Sequence, residues 1–169
     1  MPQPTESDVP MSTTEQQPWR LREISPIEPG IVCIDIERMI RFYTEVLGLE
    51  LINDAQTVPE MSTRFGTTPD GYRIVRLQTE RGQKIKLVQP KVPPAPSPLP
   101  QWVYQRQGIV YVTFVVAHVA EVVAQLKAHG VRTVSDAPVE IRKGILAIYT
   151  LDPEDNYVEF IEYPAQPES

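Results

Sequence analysis

Three segments, around residues 84–89, 110–116 and 157–163, alternate side chains as β-strands do, with Lys86, Tyr111 and Glu159 on the face opposite the apolar one. Alternation would also put Glu28 on one face with Gly30 and Val32. The four residues, singled out by a family resemblance described below, supply two carboxylates, an ammonium and a phenol. A carboxylate can act as a general base, while a lysine ammonium or a tyrosine hydroxyl can polarise a carbonyl group. The apolar faces would pack on helices, so the pattern predicts a polar cleft that is capable of proton transfer.

The same residues have a purely structural interpretation. Lys86 could be neutralised by Glu28 and Glu159 in an inert salt-bridge network, because buried charges persist only when they are paired. Both interpretations remain open from the sequence. Full substrate turnover by a Lys86→Ala variant would exclude the catalytic one.

Three further residues are predicted to contact a ligand. If the strand around residues 72–79 points Ile74, Arg76 and Gln78 into the cleft, Arg76 adds a second cation that suits a substrate carboxylate. The connection over residues 56–71 is long enough to form a lid. Arg64 and Phe65 on this connection could close over a bound molecule.

The elements that would position these residues occur twice along the chain. A strand that ends at Asp35 leads into a helix that stops at Gly48, and the strand before His118 leads into a helix that stops at Gly130. The offsets are 118 − 35 = 83 and 130 − 48 = 82 residues. Three predicted strands follow each helix, at 49–52, 72–79 and 84–89 and then at 131–134, 145–151 and 157–163. The sequence therefore predicts two βαβββ modules.

The eighteen prolines mark the boundaries of these modules. Four lie within the first 18 residues and six lie between residues 90 and 100. Proline lacks the amide hydrogen that a sheet requires, so we expect the second group to form a stiff linker outside the sheets. The predicted organisation is a flexible tail (1–20), a first module (21–89), the linker (90–107), a second module (108–164) and a short tail (165–169).

Composition and charge exclude several classes of partner. The chain has 22 acidic and 16 basic side chains and a net charge of −6, which disfavours binding to nucleic acid. No run approaches the roughly 18 apolar residues that span a bilayer. Neither a secretion signal nor a pair of cysteines is visible. We therefore expect a cytoplasmic protein without nucleic-acid or membrane partners.

Two segments resemble one family. IDIERMIRFYTEVLGLELI (34–52) is similar to the opening helix, and LDPEDNYVEFIEY (151–163) to the final turn and strand, of the vicinal oxygen chelate superfamily. That superfamily includes glyoxalases, bleomycin-resistance proteins and extradiol dioxygenases. The resemblance implies an α+β fold in which two βαβββ modules form a curved mixed sheet around a cleft. It also implies a homodimer.

The resemblance further implies where a metal site would lie. Metal-dependent members use four side chains, usually His or Gln, Glu, His and Glu, and the corresponding positions here are Glu28, Lys86, Tyr111 and Glu159. Only Glu159 matches that pattern, and a protonated lysine is a poor metal ligand. We therefore expect a degenerate site without a metal or other cofactor, in which Lys86 takes the place of the ion.

These observations predict an enzyme of the lyase or isomerase type that acts on a small carbonyl or carboxylate compound. One alternative is a bleomycin-resistance-like protein that binds a small molecule without chemistry. Another is a divalent-metal enzyme in which Glu28 and Glu159 hold the ion after Lys86 swings away.

Overall fold

The computed structural model describes residue 21 and residues 24–164, so the predicted tails, 1–20 and 165–169, lie outside the described residues. The strands are β1 (Gly30–Val32), β2 (Glu50–Thr57), β3 (Tyr72–Gln78), β4 (Lys84–Pro90), β5 (Tyr111–Val115), β6 (Arg132–Thr133), β7 (Val139–Arg142), β8 (Ile145–Leu151) and β9 (Tyr157–Glu162). The helices are α1 (Ile36–Arg41), which a π-helical segment (Phe42–Val46) continues, α2 (Pro59–Phe65), a 3₁₀ turn (Val103–Gln105) and α3 (Val119–Ala128). Among the described residues, no helix is both long and apolar enough to cross a membrane.

The strands form two sheets, one in each module. The first sheet has the order β1-β4-β3-β2, with β1 parallel to β4 and the other pairs antiparallel. The second has the order β5-β9-β8, with β5 parallel to β9 and with β6 and β7 both paired to β8. The predicted α+β fold of two βαβββ modules is confirmed, and the second module contains β7 as an additional short strand.

Each sheet buries one face against its own helix. In the first module, Met39 and Tyr43 of the helix pack with Val75, Leu77 and Leu87 of the strands, and each of these five side chains is fully buried. In the second, α3 packs on β8 and β9 in the same manner. The opposite side of each sheet is called here its open face. The open face carries Arg76, Lys84 and Lys86 in the first sheet and Tyr111, Thr113 and Glu159 in the second.

The two helices begin differently although their positions repeat. Asp35 caps α1, since its carboxylate accepts a hydrogen bond of 3.0 Å from the amide of Arg38. His118, the equivalent residue before α3, has a left-handed φ of 53° and makes no side-chain cap. The Glu162 carboxylate instead accepts a hydrogen bond of 2.7 Å from the amide of Val119. The repeat therefore conserves the elements and not the capping chemistry.

Apolar and polar contacts join the modules. Phe114 of β5 packs against both hydrophobic cores. The buried hydroxyl of Tyr43 donates to the buried carboxylate of Asp152 at 3.2 Å. The Glu154 carboxylate accepts hydrogen bonds from the amides of Ile34, at 2.8 Å, and Asp35, at 2.6 Å. The β8–β9 turn of the second module is thereby tied to the start of α1.

Two expectations about local structure are wrong. The strand predicted at 49–52 extends to Thr57, because its last residues still pair with β3. The connection that follows, which was predicted to be a loop, contains helix α2. Pro90 belongs to a sheet as the last residue of β4, where a strand end tolerates a missing amide hydrogen.

Gly71 occupies a position where the backbone excludes other residues. Its φ is +86°, and an added Cβ would lie 2.5 Å from the carbonyl oxygen of Thr57. We expect Gly71→Ala to lower the free energy of unfolding by about 2 to 3 kcal/mol, as measured by urea denaturation. Gly66→Ala is the matched control, because Gly66 has a φ of +74° and open space around its Cβ. Equal losses in the two variants would contradict the proposed clash.

Candidate active site

Glu28 is surrounded by three cations. Its carboxylate lies 3.6 Å from Arg76 Nε and 3.7 Å from both Lys84 Nζ and Lys86 Nζ. The Glu28 side chain is 18 % exposed, whereas those of Arg76 and Lys86 are 47 % and 30 % exposed. These four residues are called here the Glu28 cluster. Three positive charges around one negative charge leave a local excess of positive charge.

Strand register brings these side chains together. Arg76 and Lys86 are direct partners in the β3–β4 pair, and Lys86 is the partner of Gly30 in the β1–β4 pair. The amide of Lys86 also donates to the carbonyl of Pro29 at 2.9 Å, which places the preceding Glu28 beside β4. The structure therefore puts Arg76 on the same face as Lys86, as the alternation of the strand predicts.

Tyr111 and Glu159 lie on the open face of the second sheet. Glu159 is 9 % exposed, and its carboxylate accepts a hydrogen bond of 2.7 Å from the Thr113 hydroxyl. Thr113 and Glu159 are register partners in the β5–β9 pair. Glu159 thus satisfies part of its hydrogen-bonding capacity within its own sheet.

The predicted neutralisation of Lys86 by two carboxylates is found for one of them. Glu28 pairs with Lys86, but within the described residues no ion pair of 4.0 Å or less joins Glu159 to Lys86. Glu159 lies on the second sheet and Lys86 on the first. The predicted quartet is therefore divided into Glu28 with Lys86 and Tyr111 near Glu159.

The predicted lid residues form no ion pair with Glu28. Arg64 and Phe65 end helix α2, both are exposed, and Phe65 is 75 % exposed. Neither takes part in the ion pairs around Glu28. Their role in closing over a ligand stays a prediction.

Two tyrosines next to Tyr111 were not among the predicted site residues. The ring centroids of Tyr111 and Tyr149 are 5.3 Å apart, and Tyr104 from the linker lies 6.2 Å from Tyr111. The hydroxyls of Tyr104 and Tyr149 are hydrogen-bonded at 2.9 Å. Tyr149 is also the register partner of Glu159. Alternation along β8 could have identified Tyr149, whereas no periodic signal marks Tyr104.

Tyr149 is a hydrogen-bond donor at neutral pH. Burial raises the pKa of Tyr149 most, and hydrogen bonds with Tyr104 and Glu159 raise it further. The hydroxyl therefore keeps its proton at neutral pH.

The residues at the family's metal positions do not fit a divalent ion. Lys86 presents a protonated ammonium already paired with Glu28, and Tyr111 presents a phenol. Among the described residues, no three His, Cys, Asp or Glu side chains are grouped so that they could hold an ion. The chemistry of this site is therefore derived from the side chains alone.

Known proteins resemble the whole of this architecture. The family model of the Glyoxalase/Bleomycin resistance protein/Dioxygenase superfamily matches residues 24–160. No curated protein matches the chain.

Solved structures show the same fold at low sequence identity. A glyoxalase family protein from Bacillus cereus is 21 % identical, with 86 % of this chain and 98 % of that chain covered and a TM-score of 0.72. A glyoxalase family protein from Enterococcus faecalis is 22 % identical, with 83 % of this chain and 98 % of that chain covered and a TM-score of 0.60. A glyoxylase/bleomycin resistance protein/dioxygenase domain from Frankia sp. EAN1pec is 12 % identical, with coverages of 88 % and 96 % and a TM-score of 0.62.

Proposed function

Because this chain belongs to the Glyoxalase/Bleomycin resistance protein/Dioxygenase superfamily, we propose that it is a metal-independent lyase or isomerase for a small carbonyl compound that bears a carboxylate. Membership of a fold family does not determine a reaction, so the proposal depends on the site. The observation that supports it is the arrangement of Arg76, Lys84 and Lys86 around Glu28.

The excess positive charge favours an anionic ligand. Arg76 can hold a carboxylate through two parallel hydrogen bonds, and the lysine ammonium groups add charge without fixing a geometry. All three cations are partly exposed, so a ligand can reach them. The Glu28 cluster is therefore proposed to bind the substrate's carboxylate.

Glu28 is proposed to be the general base. Its carboxylate would take the proton from the carbon next to the substrate's carbonyl, and the C–H electron pair would move onto the carbonyl oxygen. The Lys86 ammonium would stabilise the resulting negative charge. Return of a proton to the other face of the same carbon completes an isomerisation by epimerisation. In a lyase reaction the electron pair instead returns from the oxygen, the carbonyl re-forms, and the bond from the neighbouring carbon to a leaving group breaks as a carbon–carbon double bond forms.

Binding tests the first part of this proposal. In titration calorimetry of the full chain, we expect pyruvate to bind at least about tenfold more tightly than the uncharged pyruvamide. Arg76→Gln should remove most of this difference, while Lys143→Gln should not, because Lys143 is exposed in the β7–β8 hairpin. Equal affinity of the wild type for both compounds would overturn the proposal.

The tyrosine group favours a second candidate function. The rings of Tyr104, Tyr111 and Tyr149 could hold an aromatic molecule without any reaction, as in a small-molecule binding protein. Tight binding of an aromatic ligand that Tyr149→Ala abolishes and Glu28→Gln leaves unchanged would favour this candidate.

We also propose that two copies associate as a homodimer. Several large apolar side chains of β1, β5 and the segment before β5 are exposed to solvent: Val32 is 53 % exposed, Ile109 86 % and Val115 67 %. Burying them against a second copy would be favourable. Light scattering on the purified protein should give the mass of two chains, and the mass of one chain would contradict the proposal.

A further inference from the structure

A cavity lies where the linker crosses the junction of the two modules. Its volume is about 890 Å³, and it is bordered by linker residues 94–100, by the start of the first helix and by the β8–β9 turn. Ligand pockets commonly have such volumes and occur between domains. None of the residues of the Glu28 cluster, nor Tyr111 or Glu159, lines this cavity.

The acidic residues of this cavity are engaged by other groups. Asp35 accepts the hydrogen bond that caps α1, and Glu154 accepts the amides of Ile34 and Asp35. Asp155 forms an ion pair with Arg132. The Asp155 charge is thus neutralised by Arg132, while Asp35 and Glu154 keep their charges but direct carboxylate oxygens to backbone amides.

Two arginines in the wall form no ion pair with these carboxylates. Within residues 24–164, neither Arg38 nor Arg106 forms an ion pair of 4.0 Å or less, and the Arg106 guanidinium donates to the Ser97 hydroxyl at 3.3 Å. Both line the cavity and both are exposed. They can pair with an anion that enters the cavity, and an arginine can do so through two hydrogen bonds.

The rest of the wall is largely apolar. Ile34 and Leu99 are 44 % and 41 % exposed, and the neighbouring wall consists of linker prolines. The buried ring of Tyr157 contributes a further surface, and its hydroxyl donates to the carbonyl of Pro100 at 3.1 Å. This hydrogen bond fixes one end of the linker against the second sheet.

We propose that this cavity is a binding site for a small amphipathic anion. A carboxylate or phosphate group of the ligand pairs with Arg38 and Arg106, and its apolar part lies against Ile34 and Leu99. The site is separate from the Glu28 cluster and does not depend on the proposed reaction.

Fluorescence titration of the full chain with anilinonaphthalene sulfonate, an amphipathic anion, tests the proposal. We expect saturable one-to-one binding and a loss of affinity of about tenfold or more in the double variant Arg38→Gln/Arg106→Gln. Arg81→Gln, at an exposed turn outside the cavity, is the matched control and should bind as the wild type does. Near-UV circular dichroism confirms that each variant keeps its native packing, because compact, partly folded states also bind this dye.

Two further arms separate the alternatives. Unchanged binding by the double arginine variant overturns the proposal. If Lys86→Gln then loses affinity for the dye, the dye binds at the Glu28 cluster instead. Competition with octanoate and with phenyl phosphate identifies the preferred anionic group. Failure of both compounds to displace the dye would also overturn the proposal.

Discussion

Asp152→Ala is expected to lower the free energy of unfolding by about 3 kcal/mol. The Asp152 carboxylate is 1 % exposed and accepts hydrogen bonds from the amides of Glu154 and Asn156, from the Asn156 side chain and from the Tyr43 hydroxyl. Alanine would leave the fully buried Tyr43 hydroxyl without an acceptor and would release the β8–β9 turn.

One opposing effect limits the size of this loss. Burial raises the pKa of Asp152, and the hydrogen bonds from Asn156 lower it only in part. Removing the carboxylate therefore recovers some of the cost of its desolvation. For that reason the expected loss is smaller than the sum of the separate hydrogen bonds.

Urea denaturation measures the effect, with two comparison variants. Tyr43→Phe removes only the hydrogen bond from Tyr43 to Asp152 and should lower the free energy of unfolding by about 1 kcal/mol. Asp136→Ala changes an exposed aspartate and should have almost no effect. Equal stability of Asp152→Ala and Asp136→Ala would show that the turn contributes little to joining the modules.

Glu28→Gln is expected to slow proton transfer by about a hundredfold or more. Glutamine keeps the size and most hydrogen bonds of glutamate but cannot accept a proton as a base. Uptake of solvent deuterium at the methyl carbon of pyruvate, followed by proton NMR, measures this step without knowledge of the natural substrate. The wild type should accelerate the exchange above its rate in buffer.

Glu50→Gln provides the control for this prediction. Glu50 begins β2 in the same sheet, is exposed, and takes no part in the Glu28 cluster. The Glu50→Gln variant should catalyse deuterium exchange into pyruvate at the rate of the wild type. Exchange by Glu28→Gln at that same rate would exclude Glu28 as the base, even if pyruvate still binds at the cluster.

Much of the fold could be predicted because its signals are periodic. Apolar residues at helical spacing before Gly48 and Gly130 indicated both helices, and alternation indicated most strands. Helix α2 and strand β7 were missed, since they have seven and four residues and no strong period. Their conformations depend on neighbours such as β8, which pairs with β7.

For the site, the sequence could predict which residues share a face of one sheet, but not how residues of different sheets are arranged. Alternation placed Arg76 and Lys86 on one face because it reports which side of a sheet a residue occupies. It does not report the distance between two sheets, so the separation of Glu159 from Lys86 was not foreseen. Tyr104 and the cavity beneath residues 94–100 depend on the path of an irregular linker, which no repeat of residue types encodes.

Deuterium exchange before and after removal of metal ions tests the central proposal most directly. The wild-type protein would be dialysed against a chelator, its metal content checked by elemental analysis, and its exchange of pyruvate compared with that of Glu28→Gln. The proposal predicts an unchanged rate in the dialysed wild type and a low rate in Glu28→Gln. Loss of exchange on dialysis, with recovery on adding zinc, nickel or manganese, would contradict it.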